Sequence, residues 1–310
     1  MPIRIVSLLP SATEIVFALG LGDCLVGVSH ECDFPPEART RPVVTRSLLP
    51  PGLSQAEIDR QVKRLLAERG TIYGLDAELL KALKPDLILT QRLCHVCAVG
   101  YEQVCETVEA IGAGAQVLSL EPDGLEGIFG TILTVGEATG RAEVAERLVA
   151  GFRARVETVA RRVSGLPRPR VVALEWLDPP LAAGHWVPEM VALAGGEDLF
   201  GRPRLPAVRL DWADVLAADP DVLVLMPCGY DLPATVEAAR VLGAVRGLEN
   251  TRAAVAGRVY AVDGSAYFNR PGPRVVEGLE VLAEILHPEA CRGLAPPGSW
   301  TPISLPLPVR

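Results

Sequence analysis

Short apolar runs recur along this chain, and they recur in the same order twice. Arg4-Ile-Val-Ser-Leu-Leu opens one series and Arg170-Val-Val-Ala-Leu-Glu opens the other. Each run is too short for a helix and lacks polar alternation, which fits a strand buried on both faces of a parallel sheet. Further along each half, a helix-like segment meets Pro-Asp and passes into another apolar run. The two copies are Leu80-Lys-Ala-Leu-Lys-Pro-Asp-Leu-Ile-Leu-Thr and Leu216-Ala-Ala-Asp-Pro-Asp-Val-Leu-Val-Leu-Met. The proline ends the helix and the apolar residues enter the sheet. A third pair follows, Ala115-Gln-Val-Leu-Ser-Leu and Arg258-Val-Tyr-Ala-Val-Asp. Strands alternating with helices predict open parallel sheets, so each half reads as a Rossmann-like α/β lobe.

Between the halves the period changes. Val144, Leu148, Phe152, Val156, Val159 and Val163 recur at helical spacing with charges on the other face. A helix from Arg141 to Val163 would be about 35 Å long, and Ser164-Gly-Leu-Pro-Arg-Pro breaks it. The expected architecture is α/β, with an N-terminal lobe over 1–139, a long rigid linking helix over 140–165 and a C-terminal lobe with an extended tail over 166–310. A rigid linker of this kind would restrict the lobes to small rocking movements. Trp300 is the residue expected to pin the tail.

Composition narrows the function classes. Hydrophobic residues make up 49% of 310, enough for two cores, and a net charge of -8 argues against a nucleic-acid partner. No apolar run approaches the ~20 residues of a membrane helix. The start, Met1-Pro-Ile-Arg-Ile-Val-Ser, enters a strand without the features of a secretory signal. The expected location is therefore cytoplasmic as the sequence stands, or periplasmic or cell-surface if a signal has been removed. Seven cysteines, an odd number, read mainly as free thiols. Gly-x-Ser-x-Gly, phosphate-loop and Gly-x-Gly-x-x-Gly motifs are missing, so a binding protein is expected and not an enzyme, with no catalytic cofactor.

The opening, Ile5-Val-Ser-Leu-Leu-Pro-Ser-Ala-Thr-Glu-Ile-Val-Phe-Ala-Leu-Gly-Leu-Gly-Asp-Cys-Leu-Val-Gly-Val-Ser, resembles the helical-backbone (class III) substrate-binding proteins of ABC importers. Lys84-Pro-Asp-Leu-Ile-Leu, the central helix and the order of both halves extend the resemblance over most of the chain. Leu93-Cys-His-Val-Cys-Ala-Val, Trp186-Val-Pro-Glu-Met-Val-Ala-Leu-Ala-Gly-Gly, Leu225-Met-Pro-Cys-Gly-Tyr and Tyr267-Phe-Asn-Arg-Pro-Gly-Pro-Arg look like the cobalamin-binding branch of that class. The resemblance implies two lobes that close on cobalamin, haem or a ferric siderophore, and delivery to an ABC permease. Such importer components are exported or lipid-anchored, and the start of this sequence shows neither a signal nor a lipobox cysteine.

Ligands of open parallel sheets bind beyond the carboxyl ends of the strands, which selects candidates independently of any resemblance. Pro10 and Ser11 follow the first run; Ser11 reads either as an N-cap boxed by Glu14 or as a polar contact. His30 and Cys32 follow Val26-Gly-Val-Ser, and Arg92, Cys94, His95 and Cys97 follow Leu87-Ile-Leu-Thr. Cys32, Cys94 and Cys97 could hold a metal, act in redox chemistry, or simply pack. In the second half, Trp176, His185, Trp186, Cys228, Tyr230, Tyr267 and Phe268 follow strand ends. Flat aromatic faces suit a large macrocycle and an imidazole could reach its metal, whereas the plain reading places Trp186 in a core. The leading expectation is capture of cobalamin or a related corrinoid between the lobes. The alternatives are a haem or ferric-chelate binder, kept open by Arg92, Arg209 and Arg270, and an intracellular metal- or redox-active protein built on Cys32, Cys94 and Cys97.

Overall fold

The computed structural model describes residues 2–92, 100–112 and 114–304, and the chain divides into two compact α/β units. One comprises Met1–Pro122 with Glu126–Val149, the other Asp123–Leu125 with Ala150–Arg310. The division falls within the long amphipathic helix.

The first unit contains strands β1 (Ile5–Ser7), β2 (Leu25–Val28), β3 (Thr45–Ser47), β4 (Tyr73–Leu75), β5 (Leu87–Thr90) and β6 (Gln116–Ser119). Four of them form a parallel sheet in the order β2-β1-β5-β6, while β3 and β4 make a separate antiparallel pair. Its helices are α1 (Pro10–Ala18), α2 (Gln55–Arg69), α3 (Ala77–Leu83) and α4 (Tyr101–Ile111). Helices α5 (Leu125–Ala138) and α6 (Ala142–Val163) follow, with α6 close to the span its heptad-like pattern predicts. Val6 and Ile88 are fully buried in one core, as strand runs with no polar alternation require, and Leu80 of α3 and Val104 of α4 are fully buried against them.

The second unit is built from β7 (Arg170–Leu177), β8 (Pro180–Ala182), β9 (Glu197–Asp198), β10 (Val208–Arg209), β11 (Val222–Leu225), β12 (Val259–Val262) and β13 (Trp300–Pro302). The order is β10-β8-β7-β11-β12-β13, with β9 also alongside β7. Strands β7, β11 and β12 are parallel, β8 and β13 run antiparallel to them, and β10 pairs antiparallel with β8, so the sheet is mixed. Helices α7 (Val187–Leu193), α8 (Trp212–Ala218), α9 (Leu232–Ala238), α10 (Arg252–Val255), α11 (Gly264–Tyr267) and α12 (Val275–Leu286) surround it. The tail joins the sheet as β13, where Trp300 meets Tyr260 edge to face with ring centres 5.4 Å apart.

The twice-repeated Pro-Asp signal has one physical basis. Helix α3 ends at Lys84 and α8 at Asp219, both in left-handed conformation at φ 45°. The proline that follows cannot continue a helix. The aspartate after it then grips the start of the first strand. The Arg4 backbone N–H donates to Asp86 Oδ2 at 2.8 Å while the Asp86 N–H donates to the Arg4 carbonyl at 2.8 Å. In the second unit Arg170 and Asp221 make the same two bonds at the same lengths. The arginine side chain also caps the preceding helix: Arg4 Nη2 donates to the Leu83 carbonyl at 2.7 Å, and Arg170 Nη1 to the Asp219 carbonyl at 3.1 Å.

Candidate functional site

In the first unit the carboxyl ends of the parallel strands present small polar groups. Helix α1 begins directly after β1, but Leu9 is its cap residue and Pro10 its first helical residue. A proline fits there because its missing N–H would have had no partner. Ser11 therefore lies inside the helix, buried together with Glu14, and does not form the capping box its spacing suggested.

Cys32 is buried in a polar knot behind that helix. The Thr13 hydroxyl lies 2.8 Å from Ser7 Oγ and 3.0 Å from Cys32 Sγ, and Ser29 Oγ lies 3.3 Å from the same sulfur. His30 is tied to the β3–β4 pair. Thr45 Oγ1 accepts the His30 backbone N–H at 3.0 Å and sits 2.7 Å from Nδ1, while Nε2 lies 3.4 Å from Glu31 Oε1. Cys94, His95 and Cys97 lie outside the described residues. Among the described residues, no group of three His, Cys, Asp or Glu is placed to hold a metal ion.

Arg92 follows β5 and is already engaged. Its backbone N–H donates to Glu121 Oε1 at 2.8 Å, its Nε donates to Glu102 Oε1 at 2.8 Å, and its guanidinium stacks 4.4 Å from the Tyr101 ring centre. Glu121, Glu102 and Tyr101 were not singled out from sequence. Glu121 follows a strand end, β6, and that position was the available signal.

The second unit gathers more of the expected residues. Trp176 sits near the end of β7, its Nε1 donating to the Asp178 carbonyl at 3.1 Å. Its ring meets Tyr230 edge to face at 5.8 Å and 89°. The Cys228 N–H donates to the Glu175 carbonyl at 3.0 Å, which fixes the loop after β11 beside β7, and the Cys228 side chain is exposed. Helix α11, just after β12, joins them, since the Ser265 N–H donates to the Tyr230 carbonyl at 2.9 Å. Gly264 makes this approach feasible: a Cβ there would stand 2.6 Å from the Pro227 carbonyl oxygen and 2.7 Å from that of Met226. Trp176, Cys228 and Tyr230 thus share the carboxyl edge of the sheet, with Tyr267 at the end of the neighbouring α11, where burial pushes its phenol above the usual range.

Two expected ligand contacts are instead core residues. Phe268 is fully buried, and Trp186 is 6% exposed with its Nε1 donating to the Phe268 carbonyl at 2.7 Å. A buried indole needs such an acceptor, and making the bond turns the ring inward. His185, its ring centre 5.7 Å from that of Trp186, is half-buried at φ 54°, with its N–H donating to the Leu205 carbonyl at 2.6 Å and its carbonyl accepting from Arg204 at 2.8 Å. Its Nδ1 is buried without a hydrogen-bond partner, and desolvation lowers the ring's pKa below the ordinary histidine value. Burial therefore favours the neutral imidazole, the form that a metal ligand or a hydrogen-bond acceptor takes.

A family model described as periplasmic binding protein matches residues 5–266. The vitamin B12-binding protein of Yersinia pestis (strain Pestoides F) is 27% identical over 225 residues, which are 72% of this chain and 69% of that protein. Among solved structures, a periplasmic haem-binding protein from Pseudomonas aeruginosa is 25% identical with a TM-score of 0.70, over 99% of this chain and 97% of that one. The periplasmic vitamin B12 binding protein of Vibrio cholerae shares the fold at 23% identity and a TM-score of 0.66, covering 91% of this chain and 96% of its own. The matched span runs from β1 into α11, taking in the parallel strands of both units and the edge that carries Trp176, Cys228 and Tyr230, so the chain belongs to the periplasmic binding protein family.

Proposed function

We propose that this chain captures a corrinoid, cobalamin in the first instance, and hands it to an ABC permease. The observation that carries the reading is the Trp176–Tyr230 pair beside the exposed Cys228, at the strand ends where an open α/β sheet binds its ligands. Two aromatic rings at right angles offer a flat face and an edge, which suits a large macrocycle with an apolar rim. The name of the Yersinia relative supports cobalamin as the macrocycle. Capture and release ask for no catalytic group, and we assign none. The role puts the chain outside the cytoplasmic membrane, in the periplasm or at the cell surface.

A second reading, haem, has its own support. Haem-binding proteins from Pseudomonas aeruginosa and Roseiflexus resemble this chain at 25% and 26% identity, and His185 is a neutral imidazole of the kind that ligates iron. Calorimetric titration of the ligand-free chain with cobalamin and, in parallel, with haemin decides between them. The corrinoid reading expects saturable one-to-one binding of cobalamin that weakens about tenfold or more in Trp176→Ala. Binding of haemin alone, weakened in His185→Ala, would replace it with the haem reading.

A further inference from the structure

We propose that the second unit carries another binding site, for a phosphate group, at the amino-terminal edge of its sheet. This is the end of the strands opposite Trp176 and Tyr230. A cleft of about 420 Å³ opens there among the Pro167-Arg168-Pro169 turn before β7, Asp221, Arg252 on α10, Arg258 before β12, and His287 after α12.

The charges in this cleft do not cancel. Asp221 is its one carboxylate, and it is already matched: Oδ1 lies 2.9 Å from Arg252 Nη1, and Oδ2 accepts the Arg170 backbone N–H. Arg252 is spent, donating through Nε to Asp219 Oδ2 at 3.0 Å and through Nη2 to the Asp219 carbonyl at 2.7 Å. Arg168 and Arg258 differ. Arg168 Nη2 donates to the Gly196 carbonyl at 2.6 Å, and Arg258 Nη2 donates to the carbonyls of Ile285 at 3.2 Å and Leu286 at 3.0 Å. Those acceptors are neutral, and neither guanidinium has an ion pair with a described carboxylate.

Each guanidinium has five N–H donors in a fixed fork, so using one nitrogen leaves the rest of the fork for another acceptor. The bonds already made hold both side chains in place, which reduces the ordering cost of binding. The prolines flanking Arg168 restrict its backbone further. His287, 3.2 Å from the Gly195 carbonyl through Nε2, closes one wall. The last carbonyls of α12 repel an anion, but Arg258 covers those of Ile285 and Leu286. Two oriented and uncompensated guanidiniums in a cleft fit a doubly charged tetrahedral oxyanion. That group could be inorganic phosphate or the phosphate of a small monoester.

Calorimetry and phosphorus NMR on the intact chain test this, using potassium phosphate and glycerol 1-phosphate at an ionic strength fixed with chloride. Saturable one-to-one binding is expected, with broadening of the phosphorus line on the unaltered chain. Arg168→Gln should weaken it about tenfold, and Arg168→Lys should restore part of the loss by keeping the charge. Tighter binding of glycerol 1-phosphate would identify a monoester as the ligand, and equal or weaker binding would identify phosphate itself. No saturation by either probe, or an unchanged affinity in Arg168→Gln, overturns the site. Displacement of phosphate by cobalamin would overturn it too, by merging it with the macrocycle site; failure of cobalamin binding alone leaves it standing.

Discussion

At Trp186 the indole is almost fully enclosed and its N–H is committed to the Phe268 carbonyl. Truncation to alanine should lower stability by about 3–5 kcal/mol, the cost of emptying a large aromatic site in a core. Trp176 is partly exposed, so Trp176→Ala should leave the urea midpoint almost unchanged while removing ligand affinity. Equal destabilisation by the two substitutions would contradict the distinction. Between them, His185 sets a pH dependence. Its folded pKa is pushed below the ordinary 6.5 by burial, so the unfolded chain binds the extra proton more readily. Its stabilising contribution is complete above 6.5 and is lost as pH falls toward the lowered value. Urea stability measured from pH ~5 to ~8 should therefore show an acid-side loss that His185→Asn abolishes, asparagine being tolerant of the positive φ. Sequence alone placed all three of these residues near strand ends. It could not tell which aromatic turns inward, because that depends on a carbonyl at Phe268, far along the chain.

The elements were more legible, and the reason is local. Runs such as Leu87–Thr90 and Val222–Leu225 are apolar at every position, and Pro-Asp marks where each begins. The β7–β8 hairpin escaped notice because Glu175-Trp-Leu-Asp, with its charged ends, read as loop rather than as the continuation of a strand. Helix α1 was seen, but a serine close to its start drew the cap away from Leu9. The repeated helix ends allow a comparison within one molecule. Lys84 and Asp219 share φ 45°, a conformation that costs a side chain and favours glycine. Lys84→Gly should stabilise the chain by up to about 1 kcal/mol. Asp219→Gly relieves the same strain but deprives Arg252 of the carboxylate that accepts its backbone N–H at 2.8 Å and its Nε at 3.0 Å. That substitution should destabilise. Thermal melts of the two variants check the opposite signs, and a common sign would mean that backbone strain or the Arg252 bonds had been misjudged.

For the molecule as a whole, the distribution of tryptophan provides a test of where binding energy is realised. The four tryptophans, Trp176, Trp186, Trp212 and Trp300, all belong to the second unit. The first unit has its own buried core and its own parallel sheet. Tryptophan fluorescence during urea unfolding therefore follows the second unit alone, while far-ultraviolet circular dichroism follows both. A ligand that binds only the native state stabilises it by about 2.7 kcal/mol at a hundredfold excess over Kd. If the macrocycle rests on Trp176 and Tyr230, saturating cobalamin should quench the native fluorescence and move the fluorescence-detected midpoint to higher urea. Both effects should shrink in Trp176→Ala, even though that chain keeps three of its tryptophans. A midpoint shift seen by circular dichroism but not by fluorescence would assign the binding energy to the first unit. The Trp176–Tyr230 edge would then be excluded, and attention would move to the strand ends that carry Pro10, His30 and Arg92.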